Sequence, residues 1–222
     1  MPFMISVIIP TLNEANTVAC LLGDLKLCKA ITQIIVVDGG SKDGTQEICE
    51  QLDIEFLVAK KGKSHQMNEG AAVADNDYLL FLHADSRITA EALNTLQEAI
   101  HQHPAGCFYL EFDKNKWLYK LYAYFSKFNT TLLTYGDQGL FVRKQLFEEI
   151  GGFASVPIME DLDIIQRLKR KAKFVKLDAT IITSARRFEE VGIVKQQLIN
   201  ILLVLLYKCG VSPKVLKKYY PY

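Results

Sequence analysis

At 222 residues, the chain is long enough to form one compact domain whose core needs neither disulfides nor metals. Half of its residues are hydrophobic and 23% are charged, values that exclude a disordered or fibrous chain. The formal net charge of +1 gives no general positive field, so we expect no nucleic-acid partner, and any site for a polyanion must be local.

The first hundred residues alternate short, β-branched apolar runs with helical patterns. Strands are predicted at 5–9, 34–37, 56–59 and 78–82, and helices at 14–27 and 45–52, after Lys63 and after the predicted N-cap Thr89. Such alternation is typical of βαβ units. It predicts an α/β fold with a Rossmann-like, mostly parallel central sheet flanked by helices.

The second half is less regular. Strands are predicted at 107–112 and 140–143, an aromatic helix at 117–128, and a further helix after Asp161. The pattern divides the chain into a domain at 1–190 and an amphipathic helical extension at 191–222. The extension fits a basic, aromatic membrane-surface helix, a helix docked on the domain, or a contact with a second copy in a homodimer. Its apolar run at 198–207 is too short to cross a bilayer.

Cysteine usage and the N-terminus indicate the compartment. The five cysteines are odd in number and scattered, without a zinc spacing, so we expect small buried hydrophobes in a reducing environment. The first apolar run is too short for a signal peptide. These features predict a cytoplasmic protein, with the inner face of the cell membrane as the peripheral location if the extension binds lipid.

Polar residues follow three of the predicted strands. Asn13 and Glu14 follow the first strand, Asp38 ends the second, and His83 and Asp85 follow the fourth. Ligands of open parallel sheets bind beyond the carboxyl ends of the strands. A carboxylate there can accept hydrogen bonds from a nucleotide, and Asp85 can offer oxygen to Mg²⁺ or Mn²⁺. Helix capping and turn formation explain the same residues, and His83 fits either a metal ligand or a partly buried histidine.

The phrases SVIIPTLNE, VVDGGSKDGT and LFLHADS, in this order, resemble the N-terminal half of a family 2 glycosyltransferase with the glycosyltransferase-A fold. The phrases KGKSHQMNEGA, YGDQGLFVRK, GGF, MEDLDIIQRLKRK and TSARRFEEVG resemble a small bacterial branch of that family, associated with radical-SAM or selenium-related gene neighbourhoods. The sequence departs from the wider family at the metal motif, where His83-Ala84-Asp85 replaces the usual Asp-X-Asp.

The resemblance implies roles for the strand-end residues. Pro10, Asn13 and Glu14 match the family's nucleotide-contact loop. Asp38 matches the acid that binds the base or ribose, and Asp85 matches the acid for the metal and diphosphate. The implied ligands are a nucleoside-diphosphate sugar and a divalent cation, Mg²⁺ or Mn²⁺.

The resemblance also implies a catalytic base. Asp161, next to Glu160, matches the base of inverting members. In an inverting transfer, one carboxylate near the acceptor hydroxyl and a cation near the phosphate suffice. Repulsion between adjacent acids can raise the pKa of one of them. The alternative is that both acids only favour the positive end of the following helix.

Further donor contacts are predicted in the basic segments. Lys63 lies at a helix start that favours anions, and Gln66 and Asn68 are candidate hydrogen-bonding groups. A solvated lysine cluster is the alternative. Arg186 and Arg187 would point in different directions on a strand, so we expect only one to reach the phosphates and assign Arg187.

The resemblance places the loop with Asp137 and Gln138 beside the acceptor, whose sugar hydroxyls these side chains could bind; turn formation is the alternative. The crowded aromatics of segment 117–128 fit the core, an apolar acceptor or a partner chain. The acceptor is a hydroxyl compound of unknown identity, with a lipid-linked acceptor among the options.

The resulting hypothesis is a metal-assisted, inverting transferase of the hexosyltransferase kind. A nucleotidyltransferase is disfavoured because Thr11 to Glu14 replaces the glycine-rich basic loop expected after strand one. A catalytically silent sugar-nucleotide-binding protein is disfavoured by the presence of Asp85 and Asp161. The hypothesis predicts that Asp38, Asp85 and Asp161 border one cavity at one edge of the sheet.

Overall fold

In the part of the chain that the structure describes, an eight-stranded sheet forms the centre of the fold. The computed structural model describes residues 3–220. The strand order is β3-β2-β1-β4-β7-β6-β8-β5. The strands are β1 (Ile5–Thr11), β2 (Ile31–Asp38), β3 (Glu55–Val58), β4 (Tyr78–Phe81), β5 (Arg87–Ile88), β6 (Ala105–Phe112), β7 (Leu140–Arg143) and β8 (Phe174–Thr183).

Helices flank this sheet. They are α1 (Ala15–Leu25), α2 (Thr45–Gln51), α3 (Lys63–Val73), α4 (Ala90–Ala99), α5 (Trp117–Ser126), α6 (Lys144–Glu149), α7 (Glu160–Lys171), α8 (Arg186–Val191), α9 (Ile193–Lys208) and α10 (Pro213–Leu216). Short 3-10 turns lie at Thr131–Leu133, Gly136–Gln138 and Lys217–Tyr219. The predicted N-cap of α4 is confirmed, because the Thr89 hydroxyl accepts a hydrogen bond from the backbone N–H of Ala92 at 3.2 Å.

The strands β3, β2, β1 and β4 are parallel and lie between two helical layers. Strands β1 and β4 are almost entirely buried, whereas the edge strand β3 is partly exposed. Side chains alternate along a strand, so β1 contributes to both layers. Val7 packs in one core with Val18 of α1, whereas Ile8 packs in the other with Met67 of α3. The predicted α/β sheet, covered on both faces, is confirmed.

The rest of the sheet is mixed. Strand β7 runs antiparallel to β4 and β6, and β8 runs parallel to β6. Strand β8 and helix α6 were not predicted. The prediction that Arg186 and Arg187 lie on a strand is wrong, since these residues begin helix α8 directly after β8.

The C-terminal extension packs against the rest of the chain. Leu203 of α9 and Leu216 of α10 share a buried cluster with Ile158, and Ile193 packs against Tyr119 and Phe188. These contacts support the docked interpretation of the extension. Within residues 3–220, no helix combines the length and apolar character needed to span a membrane. The boundary between 1–190 and 191–222 stays a prediction.

The cysteines follow the prediction in part. All five are free thiols, and Cys28, Cys49 and Cys107 are buried. Cys20 and Cys209 are exposed, so these two do not serve as core residues. Burial raises the pKa of the Cys107 thiol to about 12, as expected for an inert core cysteine.

Candidate functional site

The loops that follow β1 and β2 are joined at the carboxyl edge of the sheet. The backbone N–H of Asn13 donates to Ser41 Oγ at 2.7 Å, and the N–H of Lys42 donates to Asn13 Oδ1 at 2.9 Å. Asn13 has a φ of 57°, a left-handed conformation that asparagine tolerates. Pro10 lies in β1 opposite Val37. The side chain of Asn13 therefore fixes the shape of this edge.

Asp38 shapes a turn in this structure, which is the alternative that the sequence offered beside nucleotide binding. Its side chain is almost fully buried, and Oδ2 accepts hydrogen bonds from the backbone N–H groups of Gly40 and Ser41, both at 2.7 Å. Oδ1 accepts hydrogen bonds from the hydroxyl groups of Ser41 and Thr11. The carboxylate therefore fixes the turn at which a nucleotide was predicted to bind.

Gln66 and Asn68 of α3 bind backbone rather than face open space. Gln66 Nε2 donates to the carbonyl oxygens of Thr11 and Val37, both at 2.7 Å, and so uses both of its hydrogens. Asn68 donates to the carbonyl of Phe153 and accepts from its N–H, both at 2.9 Å. These amides hold α3 against the ends of β1 and β2 and against the loop before α7, which differs from their predicted role as donor ligands.

A hydrogen-bonded chain crosses the edge of the sheet from α3 to the 3-10 turn at Gly136–Gln138. Lys63 Nζ lies 3.2 Å from His83 Nε2, and His83 Nδ1 lies 3.2 Å from Asp137 Oδ1. An ammonium group only donates, so Nε2 is the acceptor and Nδ1–H donates to Asp137. Burial alone would raise the pKa of Asp137, but the hydrogen bond from His83 and the charges of Lys63 and Arg187 hold it well below its usual range.

The two acids that begin α7 lie beside this chain. Burial, together with the charge of Asp161, raises the pKa of Glu160, which agrees with the predicted effect of adjacent acids. Burial alone would lower the pKa of Lys63, but the charges of Asp161, Glu160 and Asp137 outweigh it and raise that pKa. The Asp161 carboxylate packs directly against Gly136, leaving no room for a side chain there. Both acids also lie in the first turn of α7, as the helix-end interpretation expects, and the catalytic interpretation stays a prediction.

A cavity of about 240 Å³ opens next to these groups. Its wall includes His83, Asp85, Asp137, Arg186, Arg187 and Phe188. Of the residues that the structure describes, Asp38 and Asp161 lie outside this wall. The prediction that Asp38, Asp85 and Asp161 border one cavity is therefore wrong, because only Asp85 of these three lies in the wall. Asp161 contacts Gly136, the neighbour of the wall residue Asp137.

Both arginines of α8 line the cavity, although only one was expected to reach it. Arg186 forms an ion pair with Glu14 at 3.0 Å, which links the cavity to the loop after β1. Arg187 Nη1 donates to the hydroxyl of Tyr220 at 2.6 Å. Burial opposes the charge of Arg186, but Glu14 and Asp85 outweigh it and raise the Arg186 pKa. Tyr220 was not anticipated, since nothing in a C-terminal tyrosine indicates where it lies.

Gln138 differs from its predicted role in acceptor binding. Its exposure is 0%, Nε2 donates to the carbonyl of Leu133 at 3.0 Å, and Oε1 lies 3.4 Å from the thiol of Cys107. Asp137, by contrast, keeps part of its side chain accessible at the cavity. The turn therefore presents Asp137 outwards and anchors itself inwards through Gln138.

The residues that could hold a metal are few. Within the described part of the chain, no group of three or more His, Cys, Asp and Glu side chains is arranged to hold an ion by itself. Mg²⁺ commonly binds one or two carboxylates and takes its other ligands from substrate phosphates and water. Asp85, a hard oxygen ligand in the cavity wall, fits that mode of binding.

The mostly parallel sheet flanked by helices matches the fold of solved glycosyltransferase-A structures, and this predicted fold is confirmed. The chain belongs to glycosyl transferase family 2, whose family description matches residues 6–157. The narrower bacterial branch stays a prediction.

Three comparisons illustrate the similarity. Glycosyltransferase AglJ of Haloferax volcanii is 33% identical over 93 residues, which cover 40% of this chain and 30% of that protein. The crystal structure of S. aureus TarS 1–349 in complex with UDP has a TM-score of 0.69 at 19% identity, covering 82% of this chain and 60% of that one. Glucosyl-3-phosphoglycerate synthase from Mycobacterium tuberculosis, in complex with Mn²⁺, UDP and glucosyl-3-phosphoglycerate, has a TM-score of 0.65 at 17% identity, covering 95% and 81%.

These similarities are limited in aligned length and in sequence identity. The aligned segments span less than half the length of the curated relatives. At the identities of the two crystal structures, the similarity shows the fold alone. The activity, donor and acceptor of this chain therefore rest on its own residues.

Proposed function

We propose that this protein transfers a sugar from a nucleoside-diphosphate sugar to a hydroxyl acceptor. The observation that carries the proposal is the junction of Lys63, His83, Asp137 and Asp161 beside an arginine-lined cavity at the carboxyl edge of the sheet. Family membership supports sugar transfer. The TarS structure contains UDP, which supports a nucleotide-linked donor.

Asp161 acts as the general base in this proposal. Its carboxylate accepts the proton of the acceptor hydroxyl as the hydroxyl oxygen attacks the anomeric carbon from the side opposite the nucleoside diphosphate. The bond from the anomeric carbon to the diphosphate breaks as the new glycosidic bond forms, so the configuration inverts. Glu160 lies next to Asp161, and burial together with the charge of Asp161 raises the pKa of Glu160. Lys63 balances the charge of the acids.

The positive side chains receive the leaving group. Arg186 and Arg187 line the cavity, and a guanidinium can bind a phosphate through two parallel hydrogen bonds. Mg²⁺ or Mn²⁺ held by Asp85 would neutralise negative charge on the departing diphosphate. The Mn²⁺ and UDP in the synthase from Mycobacterium tuberculosis support this arrangement.

The nucleoside is proposed to lie against the joined loops after β1 and β2. Pro10, Asn13 and Glu14 form one side, and the turn organised by Asp38 forms the other. The ion pair between Glu14 and Arg186 connects this nucleoside side to the diphosphate side. Because Asp38 is engaged in its turn, we assign it the positioning of this loop.

The base assignment is tested with Asp161→Asn and the matched control Asp163→Asn. Both substitutions remove one negative charge from the first turn of α7, and Asp163 is paired with Arg167 rather than turned to the cavity. Transfer from a panel of UDP- and GDP-hexoses is measured beside donor binding. We expect Asp161→Asn to retain donor binding and lose transfer by about 10²–10⁴-fold. Equal turnover of Asp161→Asn and Asp163→Asn contradicts the assignment.

The metal assignment is tested by thermal shift. Nucleoside diphosphate with Mn²⁺ is expected to raise the melting temperature more than nucleoside diphosphate alone. Asp85→Ala is expected to abolish the Mn²⁺-dependent increment. Asp178→Ala, which removes an exposed carboxylate from β8, should leave the increment intact. An increment that survives in Asp85→Ala removes Asp85 from the metal site.

A further inference from the structure

An apolar groove of about 480 Å³ lies between α5 and α9. Its wall contains aromatic and aliphatic side chains of both helices, including Tyr122, Phe125, Leu198 and Ile201. None of the described residues that line it carries a charge under ordinary conditions. Such a lining suits a hydrocarbon chain and disfavours a charged headgroup inside the groove.

The groove is accompanied by large exposed apolar side chains. Leu198 is 62% exposed and Phe125 is 45% exposed, although both line the groove. Contiguous apolar surface of this kind marks a binding site on a soluble domain more often than chance exposure does. The crowded aromatics predicted for segment 117–128 are thus explained in part, since Tyr119, Tyr122 and Phe125 line the groove. Trp117, Tyr124 and Phe128 are exposed outside it.

The groove lies next to the candidate catalytic groups. Phe188 lines both the groove and the polar cavity. Tyr135 lines the groove, stacks on Tyr122 with ring centres 5.7 Å apart, and immediately precedes Gly136, against which Asp161 packs. One end of the groove wall is therefore one residue away in sequence from the glycine that contacts the proposed base.

Two buried polar atoms in the groove wall lack a partner. Among the described residues, Tyr119 Oη and Gln197 Oε1 are buried without a hydrogen bond, and both residues line the groove. A buried polar group without a partner costs about 1–3 kcal/mol, so such groups call for an explanation. These two atoms are therefore unsatisfied hydrogen-bonding groups in the wall of an otherwise apolar groove.

We propose that this groove binds the hydrocarbon chain of the acceptor, so that the acceptor is an amphiphile whose hydroxyl group reaches Asp161. The inference rests on the proposed function, because it assigns the second substrate of the same site. The concave, uncharged wall, and the position of Phe188 in the walls of both the groove and the polar cavity, favour a single acceptor chain over the surface of a bilayer. The groove thereby acts as a positioning device for the reactive hydroxyl.

The test uses n-hexyl, n-octyl and n-decyl β-D-glucosides below their micelle concentrations. Binding is followed by calorimetry and by the fluorescence of Trp117, the one tryptophan of the sequence, which lies at the start of α5. Burial of a methylene group corresponds to an affinity gain of about fourfold. We therefore expect roughly sixteenfold tighter binding for each pair of added methylenes until the groove is filled.

Matched variants locate the binding. Phe125→Ala and Leu198→Ala truncate the groove wall, whereas Phe128→Ala and Leu202→Ala truncate side chains of similar exposure outside it. We expect the first pair to weaken decyl glucoside binding at least about fivefold and the second pair to leave it nearly unchanged. All four side chains are at least 45% exposed, so folding should persist, and melting curves verify this.

Each outcome decides between the occupants. Affinity that is independent of chain length, or equal losses in both pairs of variants, overturns the proposal. Binding to phosphatidylglycerol vesicles that decyl glucoside does not displace indicates a bilayer surface instead. A dimer in light scattering that Leu198→Ala dissociates indicates a second copy. If binding still depends on the length of the glucoside chain but UDP and GDP leave the melting temperature unchanged, the proposed function is contradicted and the groove assignment stands. If UDP or GDP raises the melting temperature but glucoside binding does not depend on chain length, only the groove assignment is contradicted.

Discussion

Gly136→Ala is the substitution with the most direct consequence for the candidate base. A Cβ atom on Gly136 would fall within 2.6 Å of all three carboxylate atoms of Asp161, whereas ordinary contact begins at 3.4 Å. The carboxylate must therefore retreat by roughly 1 Å. A displacement of that size at a reacting group can lower turnover by about 10²-fold. Overpacking of this kind costs about 1–3 kcal/mol of stability.

The assay compares transfer rate, donor-induced thermal shift and urea unfolding in the same preparation. We expect turnover to fall by about two orders of magnitude while the shift induced by nucleoside diphosphate stays close to that of the parent protein. Gly23→Ala is the control, because nothing lies within 4 Å of the added Cβ and alanine favours the interior of α1. Undiminished turnover in Gly136→Ala would refute the claim that this glycine fixes the catalytic position of Asp161.

Three further substitutions test the scaffold. Gly70→Ala should lower the free energy of unfolding by about 1–3 kcal/mol in urea, because its Cβ would lie within 2.9 Å of methyl groups of Ile8 and Val37; an unchanged midpoint would contradict close packing of α3. Thr89→Ala should cost about 1 kcal/mol by removing the cap of α4, and Thr89→Ser should not. Burial lowers the pKa of Lys176 to about 8 from the usual 10.5, so the unfolded chain binds more protons between these values and stability rises with pH there. Lys176→Met should flatten part of that rise in melting temperatures taken from pH 7 to 10.5, and an identical profile would contradict the shift.

The parallel half of the sheet could be predicted because its signals are local. Each of the four parallel strands β1 to β4 is an apolar run next to a helical repeat, and these strands differ from their predicted bounds by only a few residues. The two-residue strand β5 was not predicted. Strand β8 lacks such a signal. Lys176 and Asp178 interrupt its apolar pattern, and its stability comes from pairing with β6 across a long stretch of chain. Pairing of this kind is invisible to a reading of neighbouring residues.

The sequence identified most residues of the candidate site, but it did not predict which of them contact one another. The acids at the strand ends were identified from their position, yet the contact from Lys63 through His83 to Asp137 joins three separate segments. The amides of Gln66 and Gln138 illustrate the opposite difficulty. An amide side chain serves a backbone carbonyl as readily as a sugar hydroxyl, and only the fold shows that both of these bind the backbone.

The hydrogen bond between Arg187 and Tyr220 brings the last described residue of the chain back to the cavity. A purification tag or fluorescent fusion attached after residue 222 would be separated from that tyrosine by only two residues. Such an addition would lie close to Arg187, a residue of the cavity wall. Protein for kinetic work should therefore carry its tag at the opposite terminus, and we expect a C-terminal label to lower activity without lowering the melting temperature.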